Sequence, residues 1–190
     1  NIADPADVDT IDIACCDGVG LMRTEFLFGK SLPDEETQYR AYRKVLEWAA
    51  GKPVTIRTID AGGDKPVLGF TVAETNPFLG LRGIRLSLAR AEIFRVQIRA
   101  LLRSAPHGNL KVMLPMVATA AELAEARAFF AACLAELKAE GRPAEMPPLG
   151  IMVETPAAAL TVDLIPAEFF SIGSNDLTQY VMAASRDGEG

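Results

Sequence analysis

GIMVETPAAALTVDLIPAEFFSIGSNDLTQY, residues 150–180, holds two short apolar runs, each followed at once by polar residues and then by a helix signal. GIMVET (150–155) reads as a strand, and Pro156 stands at the first position of a short helix, where its missing N–H costs nothing. FFSIG (169–173) reads as a second strand, with a helix beginning at 175. Runs this short and continuously apolar, rather than alternating, fit strands buried on both faces. Strands of that kind belong to parallel sheets whose faces are covered by helices.

The same unit recurs toward the N-terminus. KVMLPM (111–116), VTIRTID (54–60) and GVGLMRTEF (18–26) read as strands, the last broken at its polar end. Between them the sequence predicts helices over 120–140, stopped by Gly141, over 84–104, and over 33–50. Pro33 and an acidic first turn start the last of these and Gly51 ends it. Residues 4–17 are predicted to form one helix, with Asp4 as its cap and Pro5 at its first position. Strand and helix alternate throughout, with no repeat, low-complexity tract or linker, so a single α/β domain is expected. Five strands are visible, whereas a closed (β/α)₈ barrel needs eight and about 250 residues. The expectation is therefore an incomplete barrel.

Composition narrows the partners. The chain has 190 residues, 49% apolar and 23% charged, which suits one globular domain. A net charge of −6 argues against nucleic acid. No apolar run is long enough for membrane insertion, and the first residues do not resemble a signal peptide. Cys15, Cys16 and Cys133 have neither disulfide nor zinc spacing, and are expected as small, reduced, buried packing residues on helices, which points to a cytoplasmic location.

The polar residues gather where chemistry is expected. In parallel α/β folds ligands bind at the carboxyl ends of the strands. Arg23 follows GVGLM, Arg57 ends VTI with Asp60 beyond it, Glu154 ends GIMV, and Asn175 and Asp176 follow FFSIGS. A planar guanidinium grips phosphate or carboxylate oxygens in pairs, so two such residues suit a small anionic substrate. Glu154 and Asp176 are hard oxygen donors, and two carboxylates completed by substrate oxygens and water describe a Mg²⁺ site; Ca²⁺ would need more protein oxygens. GSNDL also opens a helix, whose N–H groups can hold an anion.

GVGLMRTEFLF, TIRTIDAGGDK, NPFLGLRGIR, LPMV, GIMVETPAAA and FFSIGSNDLTQY together resemble the phosphoenolpyruvate-binding barrel of the enzyme I type of phosphoenolpyruvate–protein phosphotransferase. The resemblance runs from about Gly18 to Arg186. It implies a (β/α)₈ barrel of the phosphoenolpyruvate/pyruvate type, of which residues 1–190 form a part. It implies that Arg23 and Arg57 bind the substrate's phosphate, that Arg82 lies near the same group, and that Asn175, Asp176 and Arg186 also reach the substrate. Glu154 and Asp176 are implied as Mg²⁺ ligands.

In that family the phosphoryl acceptor is a histidine on a separate N-terminal domain. It passes the group to a small histidine-containing carrier protein that serves sugar uptake, and a late barrel cysteine protonates the enolate. Neither of those two catalytic residues is matched here. His107, in APHGN, sits in a turn context and is expected to be a surface or capping residue. The family typically dimerises through the barrel. Pyruvate phosphate dikinase and phosphoenolpyruvate synthase share the barrel, as would a regulatory paralogue or a non-catalytic sensor of phosphoenolpyruvate; RTEFLF and IRTIDAGGDK fit the enzyme I type better. The polar loop from Asp60 through Gly62 and Gly63 to Lys65 is expected to be a glycine-rich turn with a local Asp–Lys pair more than part of the site.

Overall fold

The structure is a computed structural model and describes residues 1–29, 31–62, 66–71 and 73–185. Among these residues five strands form one sheet: β1 Val19–Met22, β2 Val54–Arg57, β3 Leu110–Leu114, β4 Leu149–Val153 and β5 Phe170–Ile172. They lie in the order β1-β2-β3-β4-β5, and each pairs in parallel with the next. Strands adjacent in sequence are thus adjacent in space, with no reversal of order. That is the winding of a (β/α) barrel rather than of a doubly wound sheet, whose strand order reverses at a switch point. The chain makes an open section of such a barrel, as its sequence predicts. Beyond β5 the apolar Phe170 and Ile172 remain exposed, while the outer side of β1 carries one parallel bridge, Ile2 to Met22.

Among the described residues six α-helices accompany the strands: α1 Glu35–Trp48, α2 Gly83–Ala89, α3 Ala91–Ser104, α4 Ala120–Ala139, α5 Pro156–Leu160 and α6 Ser174–Met182. Their starts follow capping chemistry. Asp34 accepts from the Thr37 N–H at 2.7 Å at the head of α1, and Thr119 and Glu122 cap α4 reciprocally. The core sits between sheet and helices, where Ile56, Val112, Leu114 and Ile151 meet Ile98, Leu101 and Phe130. Arg99 of α3 joins Glu35 of α1 at 2.6 Å and Glu140, just past α4, at 2.7 Å.

Three expectations change. The helix predicted over 4–17 is two short 3₁₀ turns, Pro5–Asp9 and Ile13–Cys15. Asp4 does cap the first, but the Asp12 side chain accepts from Ala14 N–H and starts the second. Asp and Thr compete for backbone groups in this way and interrupt a helix. The helix predicted over 84–104 breaks at Arg90, whose ψ of 56° is not helical, to give α2 and α3. The strand predicted over 18–26 stops at Met22, and Glu25–Phe28 turns into a 3₁₀ segment.

His107 lies before β3, at the amino end of the sheet. Its Nε2 is 2.9 Å from the Tyr39 hydroxyl. Among the described residues no helix is long and apolar enough to cross a membrane.

The cysteines also depart from expectation, since only Cys133 is buried, in α4; Cys15 is exposed and Cys16 half-buried. Burial pushes the Cys133 thiol up to about 11, with Glu136 adding to the effect. The protonated thiol is a poor nucleophile. Iodoacetamide at neutral pH should therefore label Cys15 in the native protein and Cys133 only after denaturation. Peptide mass spectrometry checks this, and prompt native labelling of Cys133 would place it outside the core.

Candidate functional site

The carboxyl ends of the strands bring the expected side chains to one place. Arg23 leaves β1, Arg57 closes β2, Glu154 follows β4, and Asn175 and Asp176 stand in the first turn of α6. All five line a single cleft of about 230 Å³, with Leu21, Met152, Ile172, Gly173 and Ser174 completing its walls. Arg23 and Asn175 reach it from the exposed side, whereas Arg57, Glu154 and Asp176 are buried. A larger cavity of about 350 Å³ opens beside Arg82 and Tyr180. Its other walls are mostly apolar, and the convergent acids and bases belong to the smaller cleft.

Beneath the cleft runs a chain of buried charge. Arg57 places Nη2 3.1 Å from Glu25 Oε1 and Nη1 3.4 Å from Asp60 Oδ2. Arg82 places Nη2 3.3 Å from Asp60 Oδ1 and Nη1 3.1 Å from Asp176 Oδ1. Asp60 is 0% exposed, so it joins two buried arginines out of reach of water. Burial alone would lower the guanidinium pKa of Arg57, but Glu25, Asp60 and Glu154 outweigh it and hold the value above the ordinary one. Both arginines stay charged. A buried hydrogen-bonded layer supports these strand ends: Gln97 Oε1 accepts from Ile59 N–H at 3.0 Å, and its Nε2 donates to the Thr24 and Tyr42 hydroxyls.

Glu154 is held from two sides. Its Oε1 accepts from the Met116 N–H at 2.7 Å. Met116 adopts φ +58°, a left-handed conformation that few non-glycine residues take. Gly83 makes room for it, because a Cβ there would lie 2.6 Å from Met116 Cβ. On the other side, a Cβ on Gly173 would lie 2.7 Å from Glu154 Oε2. The glycines of LRGIR and SIGSND therefore let the main chain close around the carboxylate.

The fit to a hard cation follows from the donor set. Burial, and then the charge of Asp60, push Glu154 up to about 7; Met116 N–H and Arg57 oppose this and Asp176 adds to it. A divalent ion between Glu154 and Asp176 would relieve that repulsion. Among the described residues no three acidic, histidine or cysteine side chains gather as a metal cage. Two carboxylates completed by substrate oxygens and water remain compatible with Mg²⁺, which rarely takes an all-protein cage.

The structure thus brings together Arg23, Arg57, Glu154, Asn175 and Asp176, and turns Arg82 away from the cleft onto Asp60 and Asp176. Arg186, Gly63, Asp64 and Lys65 lie outside the described residues. Asp60, expected in a glycine-rich turn with a local Asp–Lys pair, is the buried link between Arg57 and Arg82; the lysine of that pair lies outside the described residues. Glu25 and Tyr180 were not singled out from the sequence. The only signal for Tyr180 is its spacing four residues after Asp176, which puts both on one face of a helix; nothing in RTEF tells which way Glu25 points.

At the carboxyl ends of a barrel-type sheet, one buried guanidinium, Arg57, and one exposed one, Arg23, share a cleft with the carboxylates of Glu154 and Asp176, a lining whose charges suit the class of sites that take a small anion beside a hard cation. The chain belongs to the PEP-utilising enzymes, matching the model of their PEP-binding domain over residues 1–190. It is 52% identical over 198 residues to the phosphoenolpyruvate-protein phosphotransferase of Haloferax volcanii, covering 100% of this chain and 35% of that protein. Identity is 48% with the proteins of the same name from Priestia megaterium, over 196 residues, and Staphylococcus aureus, over 195, each time covering 100% of this chain and 34% of the relative. The chain spans about a third of the length of the relatives it matches.

The raised Glu154 pKa gives a stability prediction for the cation-free protein. Folded Glu154 holds its proton to about pH 7, while in the unfolded chain it titrates near the ordinary glutamate value of 4.5. Between these values the folded state binds more protons, so the Glu154 contribution to stability falls as pH rises, by on the order of 3 kcal/mol across the window. In Glu154→Gln that part of the slope should vanish. Chemical denaturation at pH 5 and pH 8 with chelator present checks it, and identical pH slopes in both proteins would refute the shift.

Proposed function

We propose that this chain is the substrate- and cation-binding part of a phosphoenolpyruvate-dependent phosphotransferase that phosphorylates a histidine of its own and hands the phosphoryl group to a histidine-containing carrier protein. The observation that supports this most is the convergence of Arg23, Arg57, Asn175, Glu154 and Asp176 on one cleft, in a chain 48–52% identical to proteins named for that activity. Sugar uptake as the process served, a cytoplasmic location and a homodimer of the intact protein belong to the same proposal.

Phosphoenolpyruvate carries a phosphate and a carboxylate, and the cleft offers cations from β1 and β2 together with the first turn of α6. Arg57 is fixed by Glu25 and Asp60 before substrate arrives, so little ordering is left for the moment of binding. Arg23 is exposed and closes over the anion from the cleft mouth. Asn175 stands beside Asp176 in the same helical turn and orients the substrate through its amide. Glu154 and Asp176 would hold Mg²⁺, which would supply positive charge to counter that on the phosphoryl oxygens. In the reaction the bond between phosphorus and the enol oxygen breaks and a phosphorus–nitrogen bond to the acceptor histidine forms. The enolate leaves and is protonated to pyruvate. Positioning and electrostatics account for the role of this domain, and the acceptor histidine is supplied from elsewhere in the protein.

The test uses the full-length protein with labelled phosphoenolpyruvate and Mg²⁺. Acid-labile histidine phosphate should form without ATP, which separates this activity from a dikinase. Arg57→Ala should reduce kcat/KM by about a hundredfold or more, the scale for loss of a charged group at a phosphoryl centre. Glu154→Ala should abolish the response to Mg²⁺. Near-normal substrate affinity in Arg57→Ala by calorimetry, or an ordinary Mg²⁺ titration in Glu154→Ala, would overturn the assignment.

A further inference from the structure

Tyr180 belongs to α6, one turn beyond Asp176, and its hydroxyl is held on both sides. It accepts from Arg82 Nη1 at 3.2 Å and donates to the main-chain carbonyl of Phe78. The carbonyl can only accept and the guanidinium can only donate, so the orientation of the hydroxyl is fixed. The same Arg82 Nη1 reaches Asp176 Oδ1 at 3.1 Å, and Nη2 reaches Asp60. Arg82 is therefore pinned at three points, and it engages one oxygen of Asp176 while leaving Oδ2 to other partners.

The Phe78 bond gives this arrangement a second function. Residues 77–82 lead into α2, and among the described residues the other hydrogen bonds of 78–81 run locally, to Asn76, Pro77 and Glu74. Tyr180 is what fastens this loop to α6, and the loop ends at Arg82 itself. Phe78 also places its ring 5.9 Å from the Arg82 guanidinium carbon. Removing the hydroxyl would release the loop and leave Nη1 with Asp176 as its remaining side-chain contact.

We propose that Tyr180 is a positioning residue for the cation-binding carboxylate Asp176, acting through Arg82 and the Phe78 carbonyl. It rests on the reading of Glu154 and Asp176 as a divalent-cation site. With the hydroxyl in place, Arg82 holds Asp176 Oδ1 and sets the direction of Oδ2. Without it, the arginine and its loop move and the carboxylate loses its fixed orientation.

The experiment compares Tyr180→Phe with the unsubstituted full-length protein, and with Thr178→Ala on an exposed position of the same helix as a control. Mn²⁺ is the probe, its binding read by electron paramagnetic resonance of the free ion, both without and with phosphoenolpyruvate present. Tyr180→Phe should weaken Mn²⁺ binding by about three- to tenfold, the loss expected for one net hydrogen bond. The half-saturating Mg²⁺ concentration in the phosphorylation assay should rise in parallel, while the rate at saturating Mg²⁺ changes less and the thermal midpoint falls by no more than a few degrees as the loop is released. A lowered midpoint with unchanged Mn²⁺ affinity would show that Tyr180 merely packs and would overturn the proposal. Failure of the unsubstituted protein to bind Mn²⁺ would instead overturn the cation-site reading, and the proposal with it.

Discussion

The site depends on Asp60, a carboxylate with no access to water that sits between Arg57 and Arg82. Two buried guanidinium groups, one at the end of β2 and one at the start of α2, would repel each other at great cost without it. With it they become fixed parts of the framework. Arg57 is left lining the cleft, and Arg82 is held against Asp176 from outside it. Glu25 completes the set, its Oε1 accepting from both Arg57 and the Asp60 N–H at 2.9 Å. The cost of burying these charges is borne by the fold, so the cleft needs little rearrangement to meet a charged ligand.

The parallel sheet explains why residues so far apart in sequence can share this arrangement. Each strand runs in the same direction and each returns to its immediate neighbour, so every carboxyl end opens on the same rim. The polar residues that follow the apolar runs of β1, β2, β4 and β5 then arrive there without special design. The overall charge of −6 does not conflict with an anionic substrate. Arg57 is buried among low-dielectric surroundings, where the local field outweighs distant surface charge. The helix layer carries its own ion pairs, such as buried Arg99 with Glu35 and Glu140, which tie helices and do not contribute to the cleft.

Backbone conformation contributes as much as the side chains. Met116 in a left-handed conformation aims its N–H at Glu154, and Gly83 and Gly173 leave the space in which that carboxylate is held. Strain of this kind persists only where neighbouring structure enforces it, and it concentrates at binding sites. Here the enforcing contacts come from the start of α2, the end of β3 and the start of α6.

The sequence by itself determined the fold class, the five strands, and Arg23, Arg57, Glu154, Asn175 and Asp176 as strand-end residues. Each of these follows from a local pattern: a short apolar run, a polar residue directly after it, a helix signal beyond. Helix breaks were less legible, because the stop at Arg90 and the second start at Asp12 depend on side-chain competition and packing that periodicity does not record. Only the tertiary structure decided the partners. Asp60 reads as one polar residue in a glycine-rich loop, and Arg82 as one more cation near a helix start. Their pairing, and Tyr180's hold on the Phe78 carbonyl, span 22 to 102 residues of chain. Contacts at that separation are fixed by how the strands stack around the rim, and no local spacing encodes them.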